Sequence, residues 1–231
     1  MCVMLQFFLY ICGMKKHKII FLDVDGVLNS ARFAEEHYKQ TGKPLFMYDF
    51  LDPDAVDKMT EYLKCHPNVR LVISSSWRSG DYKEDVEFFL SKGTAPLVPF
   101  IVGATGRSHD LHRGYEINHF LLHHNEEEFN WLQGEPFEIS EYVVVDDDDF
   151  DISDNLKPNF VHVDANVGLT DEDYQMINEI LKEEDVQKKL NTMEKLNKEL
   201  PDINERSYYT ADEAISILEK RIRAMFRNKK K

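Results

Sequence analysis

The apolar run Ile19-Ile20-Phe21-Leu22 ends abruptly in Asp23-Val24-Asp25-Gly26, and no other stretch constrains the fold as tightly. Consecutive apolar residues without polar alternation describe a strand buried on both faces, as in a parallel sheet covered by helices. Two carboxylates at the carboxyl end of such a strand do not belong in a core, because burying unpaired charge is costly unless a cation or hydrogen-bond donors compensate. A divalent metal is the natural compensator. If the strand continues, Val24 points away while Asp23 and Asp25 share one face. Gly26 then allows a sharp turn and a close approach of the backbone to a ligand. Taken alone, the stretch also reads as a strand followed by an Asp-Gly turn.

Two later strands end in equally polar residues. Val69-Arg70-Leu71-Val72-Ile73 follows the helix stop His66-Pro67-Asn68 and delivers Ser74-Ser75-Ser76-Trp77-Arg78. Serine hydroxyls and successive N–H groups at a strand end suit a phosphate, while serines in this place also cap helices. Glu141-Tyr142-Val143-Val144-Val145 ends in Asp146-Asp147-Asp148-Asp149-Phe150-Asp151. Consecutive acids repel one another unless metal or basic partners draw their charge. They form a second carboxylate pole for the same site.

Asp23-Val24-Asp25-Gly26-Val27 resembles the first motif of the haloacid dehalogenase (HAD) superfamily. The resemblance implies Asp23 as nucleophile and Asp25 as general acid and base. Ser74 matches the second motif, with Ser75 as the next candidate, and Gly26 and Arg78 join it as expected substrate contacts. The longer Ser-Ser-Trp-Arg string is similar to a HAD branch that also turns up fused to RNA-repair enzymes. Arg113 is the choice for the third motif, the basic residue that holds nucleophile and phosphoryl oxygens, with Arg107 and Lys92 as alternatives. The fourth motif falls on the acidic run: Asp147 with Asp151 fits its spacing, and Asp146 competes as metal ligand. The resemblance spans roughly residues 18 to 183 and implies Mg2+ held by Asp23, the Asp25 carbonyl and Asp147 or Asp146. It also implies phosphomonoester hydrolysis through an aspartyl-phosphate.

The remaining segments fit a Rossmann-like three-layer α/β domain with a mostly parallel sheet over residues 14 to 183. Ser30 to Phe50 reads as a helix and a loop over the site. Asp52-Pro53-Asp54 starts a helix to about Cys65, with Asp52 as N-cap and Pro53 at the first helical position. Tyr82 to Leu90 is expected as a helix, Pro99 to Gly103 as a third strand, and Ala104 to Gly114 as a polar loop. A helix follows from Arg113 to about His124, and Asn159 to Asp164 reads as a last strand. Thr170 and Asp173 form a capping-box pattern for a helix to about Leu181. His119 and His123, four apart, invite a zinc reading, but no Glu or Cys stands where a zinc hydrolase needs one.

The intervals after the first motif and between the second and third are mostly consumed by core elements, which leaves little cap. An open site suits a bulky phosphorylated substrate, with a phosphoprotein, including phosphotyrosine, ahead of nucleic-acid ends and small esters. The rival from another class is a catalytically idle binding module. A net charge of -14 argues against a broad nucleic-acid surface. Cys2, Cys12 and Cys65 show no paired spacing, which suggests a reducing, intracellular (cytoplasmic) compartment. The apolar start, Met1 to Ile11, is too short to span a bilayer, and Met14 is an alternative initiator. From 184 to 231 a helical appendage is expected, ending in Arg227, Lys229, Lys230 and Lys231, a basic end that suits an anionic membrane surface or a partner.

Overall fold

The computed structural model describes residues 14–45, 51–78, 84, 96–106, 112–126, 129 and 135–183. The apolar run lies in strand β1, Lys15–Leu22, at the centre of a five-stranded sheet. Its neighbours are β2 (Val69–Ile73) and β4 (Phe137–Asp146), with β3 (Ile101–Ala104) beyond β2 and β5 (Phe160–His162) beyond β4. Every pairing is parallel, so the expected mostly parallel sheet is fully so among the described strands.

Both faces of β1 are covered. Ile20 and Leu22 pack with Val56, Met59 and Leu63 of helix α2 (Pro53–Cys65) and with Tyr174 and Ile177 of a later helix, α4 (Asp171–Ile180). Ile19 and Phe21 pack on the other face with Ile117 and Phe120 of helix α3 (Arg113–His123). Successive residues therefore enter opposite layers, and the period of two is hidden because both layers are apolar. Each fully buried side chain of this kind contributes about 1.5–3 kcal/mol.

Local signals set most helix starts. Asp52 accepts a bond from the Asp54 N–H at 3.0 Å, with Pro53 at the first helical position. Thr170 and Asp173 satisfy each other's backbone N–H groups in a capping box. Helix α1 (Ala31–Thr41) begins at Ser30, whose hydroxyl accepts from the Phe33 N–H, and stops at Gly42 with φ +68°. None of its residues is buried, so within the interval after the first motif the core is supplied by α2, with Val56, Met59 and Leu63, and not by α1.

Two strand boundaries also differ. The third strand starts at Ile101 because Pro99 lies in the one-turn 3-10 helix Val98–Phe100, and proline has no N–H for a ladder. The last strand is reduced to Phe160–His162 behind a 3-10 turn at Lys157–Asn159. The expected Tyr82–Leu90 helix, apart from a helical Glu84, lies outside the described residues, as do Lys92, Arg107, residues 1–13 and the extension from 184 to 231. No helix among the described residues is long and apolar enough to cross a membrane.

Candidate active site

The strand ends are level, so their first polar residues converge. The Asp23 N–H reaches the Val145 carbonyl at 3.0 Å, the Ser74 N–H the Leu22 carbonyl at 2.9 Å, and the Thr105 N–H the Ile73 carbonyl at 2.9 Å. Each polar residue is thus the first beyond its own strand and is held by a carbonyl of the neighbouring strand. Asp23 is 5% exposed, Ser74 1% and Asp146 1%, yet Val24 returns to the core as alternation requires.

Asp23, Asp146 and Asp147 each offer a carboxylate oxygen, all within 4.8 Å of one another. Gly26 makes this approach feasible. Its φ is +70°, and a Cβ there would lie 2.3 Å from Asp147 Cγ. The turn after β1 therefore nests against the second acidic pole, with no room for a side chain between them.

Arg113, at the start of α3, supplies the countercharge. Its Nη1 lies 3.1 Å from Asp23 Oδ2 and 2.5 Å from Asp146 Oδ2, and it also donates to the Ser74 carbonyl. Burial would lower its pKa, but the two carboxylates outweigh that effect and raise it. Burial, followed by the charge on Asp23, pushes Asp146 up to about 7 despite Arg113. Asp147 rises for the same two reasons.

Asp25 is placed differently. Its Oδ2 accepts the Trp77 indole N–H at 2.7 Å. Burial raises its pKa, the Trp77 bond opposes that rise, and the charge on Asp23 adds to it. The two acids of the first motif therefore sit in unlike environments, one against a cation and one against a neutral donor.

Like the hydroxyls of Thr105 and Tyr174, Asp23 Oδ1 and the Ser74 hydroxyl are buried side-chain oxygens that have no hydrogen-bond partner among the described residues. Leaving such groups unpaired costs roughly 1–3 kcal/mol each, so their presence on adjacent strand ends points to a ligand. Hard carboxylate oxygens with one unpaired member fit Mg2+ or a similar divalent cation.

Ser75 and Arg78 face inward. The Ser75 hydroxyl accepts from the Trp77 N–H at 3.3 Å, and Ser75 is fully buried. Arg78, expected to contact substrate, is 3% exposed. Its Nε donates to the Thr105 carbonyl at 2.8 Å, Nη2 to the Gly106 carbonyl at 3.1 Å, and it also donates to the Ser75 carbonyl and the Glu116 carboxylate. The guanidinium thus ties the ends of β2 and β3 to α3, where the sequence reading expected a contact with substrate.

Asp151 does not join the Asp23–Asp146–Asp147 group: its Oδ1 lies 2.7 Å from His112 Nδ1. His119 and His123 stack face to face at 4.4 Å between centroids, an arrangement for ring contact rather than for a shared zinc ion.

Trp77 and Glu116 are the functional residues that the sequence reading left without roles. A buried indole must find an acceptor, and Trp77 follows directly on the strand-end serines. Glu116 lies at helical spacing with Ile117 and Phe120, the buried face of α3, so an acid there required a partner.

The chain matches the family described as the HAD domain in Swiss Army Knife RNA repair proteins over residues 19–174, which is more than half its length. Neither the curated proteins nor the solved structures gave a significant match. The matched segment runs from β1 into α4 and contains every residue of the site just described. The chain therefore belongs to the HAD superfamily, within the family of HAD domains in Swiss Army Knife RNA repair proteins, and its general class is that of HAD-type phosphohydrolases.

Proposed function

We propose that the chain hydrolyses phosphomonoesters through an aspartyl-phosphate on Asp23. The observation that carries this reading is the unequal treatment of the two Asp23 oxygens: Arg113 fixes Oδ2, while Oδ1 is buried and unpaired. A carboxylate held at one oxygen and bare at the other is oriented to attack.

Asp23 attacks phosphorus in line, and the bond from phosphorus to the ester oxygen breaks as the new P–O bond forms. Asp25, whose pKa is raised chiefly by burial, gives its proton to the departing oxygen. It then takes a proton from the water that attacks phosphorus, which releases phosphate and restores Asp23. In this reading the Ser74 hydroxyl and Arg113 hold the phosphoryl oxygens. When bound, Mg2+ supplies positive charge at those oxygens, with Asp23, Asp146, Asp147 and the Asp25 carbonyl as the groups that would hold it.

The substrate we propose is a macromolecular phosphoester. The sequence reading put a phosphoprotein first; the match to a domain of RNA repair proteins favours a nucleic-acid end as the second reading. A net charge of -14 suits recognition of an end rather than a long stretch of backbone. Cys65, a free thiol, suits a reducing intracellular setting.

The test is hydrolysis of a generic aryl phosphate with Mg2+, followed by acid quench and mass spectrometry. Phosphate on the Asp23 peptide and loss of turnover in Asp23→Asn are expected. Turnover that survives Asp23→Asn excludes the mechanism. An inert wild-type protein leaves the rival reading of an idle binding module.

A further inference from the structure

Helix α3 carries a column of rings on its outer side. Tyr115 stacks on His119 with centroids 6.0 Å apart and planes at 25°, and His119 stacks on His123 at 4.4 Å and 26°. Their spacing of four residues places them on one side of the helix. The column is braced at its lower rings: Phe129 meets His119 edge-on at 5.4 Å, and His123 Nδ1 lies 2.6 Å from Glu126 Oε1. Its upper end is Tyr115, which is 50% exposed. Helical side chains lean toward the helix N-terminus, so this end leans toward Arg113 and the acids.

A second exposed ring lies on the loop after β4. Phe150 is 86% exposed, on the loop that follows Asp146 and Asp147. That loop is tied to α3 by the Gly114 N–H, which donates to the Asp151 carbonyl at 2.9 Å. The contact is close enough that a Cβ on Gly114 would lie 2.3 Å from Ser153 Oγ. Tyr115 and Phe150 therefore each adjoin one partner of a single backbone hydrogen bond at the rim of the site.

We propose that Tyr115, the open end of the Tyr115–His119–His123 column, forms with Phe150 a stacking subsite for the nucleobase of a phosphorylated nucleoside. The subsite rests on the phosphatase reading of the acids and assigns its leaving group: the bond from phosphorus to a ribose oxygen breaks, and Asp25 protonates that oxygen. Spacing favours a base over a phosphotyrosine ring. Arg113 reaches Asp23 only through the whole length of its side chain, so a ring on the outer side of α3 stands well away from phosphorus. In phosphotyrosine the ring is bonded to the ester oxygen itself, whereas a nucleobase lies a full ribose further out.

The test compares kcat/KM of the full chain with Mg2+ for adenosine 5′-monophosphate and for ribose 5-phosphate, which differ only in the base. Tyr115→Ala is expected to lower the ratio of the first to the second by about five- to a hundredfold, the range of a lost base–aromatic stack. Tyr115→Phe, which keeps the ring, should restore it. Equilibrium binding of adenosine 5′-monophosphate to Asp23→Asn protein, with and without Tyr115→Ala, reads the stack without turnover. If the wild-type chain hydrolyses none of these esters while nucleotide binding still depends on Tyr115, the phosphatase reading fails and the subsite stands. A 5′-phosphorylated oligoadenylate shows whether the base comes from an RNA end or a free nucleotide, according to which loses more. Unchanged ratio and unchanged binding in Tyr115→Ala overturn the proposal, as does a larger loss on a phosphotyrosine peptide than on either nucleotide substrate.

Discussion

Replacing Gly26 by alanine separates what the site needs from what the fold needs. At φ +70° a side chain costs about 1–2 kcal/mol for the left-handed backbone alone. For a domain of this size that corresponds to a Tm lower by about 2 to 8 °C. The new methyl would also stand 2.3 Å from Asp147 Cγ and 2.8 Å from its Cβ. Rotating the carboxylate does not relieve the second overlap, so Asp147 must leave its place beside Asp23 and Asp146. Gly42 provides the control: its φ is +68°, and nothing lies within 4 Å of an added Cβ. Thermal melts of both variants in EDTA and in Mg2+ distinguish the two effects. Both should melt lower in EDTA, but only Gly26→Ala should lose the Mg2+-dependent rise in Tm that wild type and Gly42→Ala retain. If Gly26→Ala keeps the full rise, Asp147 is not a ligand and the assignment of the second acidic pole is wrong.

Glu116→Gln, which takes the negative charge from the buried Arg78–Glu116 pair, should destabilise the domain by about 3–5 kcal/mol, read from urea unfolding. Trp77→Phe removes the N–H that stabilises ionised Asp25, so that pKa should rise further and the alkaline limb of the kcat/KM profile, where the general acid loses its proton, should move to higher pH. With Asp146 raised to about 7, the folded state without metal holds a proton that the unfolded chain releases near the ordinary carboxylate value. Stability in EDTA should therefore fall as pH rises from about 4 to about 7, and added Mg2+, which binds the ionised form, should reverse the loss at the upper end.

The parts of the fold that were legible are those where a residue's burial follows from its near neighbours. Ile19 to Leu22 read as a central strand because both faces are apolar, and Asp52-Pro53 and Thr170–Asp173 marked helix starts through contacts within one turn. The first half of β4 was not legible. Phe137 to Ser140 mixes polar and apolar residues, and it pairs with the charged start of β1 through Lys16–Glu138 at 3.0 Å and through a register shift opposite His17 and Lys18. The same division applies to the site. The order of Asp23, Asp25, Ser74 and the acidic run was visible because each closes an apolar strand. Arg78 was assigned outward because its inward partners, Thr105, Gly106 and Glu116, come from segments that only the sheet brings together.

Arg113 gives the strand ends a permanent counterion of their own. One guanidinium nitrogen spans the gap between the acid that closes β1 and the acid that closes β4, so mutual repulsion of those carboxylates is restrained by a group that cannot diffuse away. The acids are thus held in register by the polypeptide itself, and their arrangement does not depend on a bound cation.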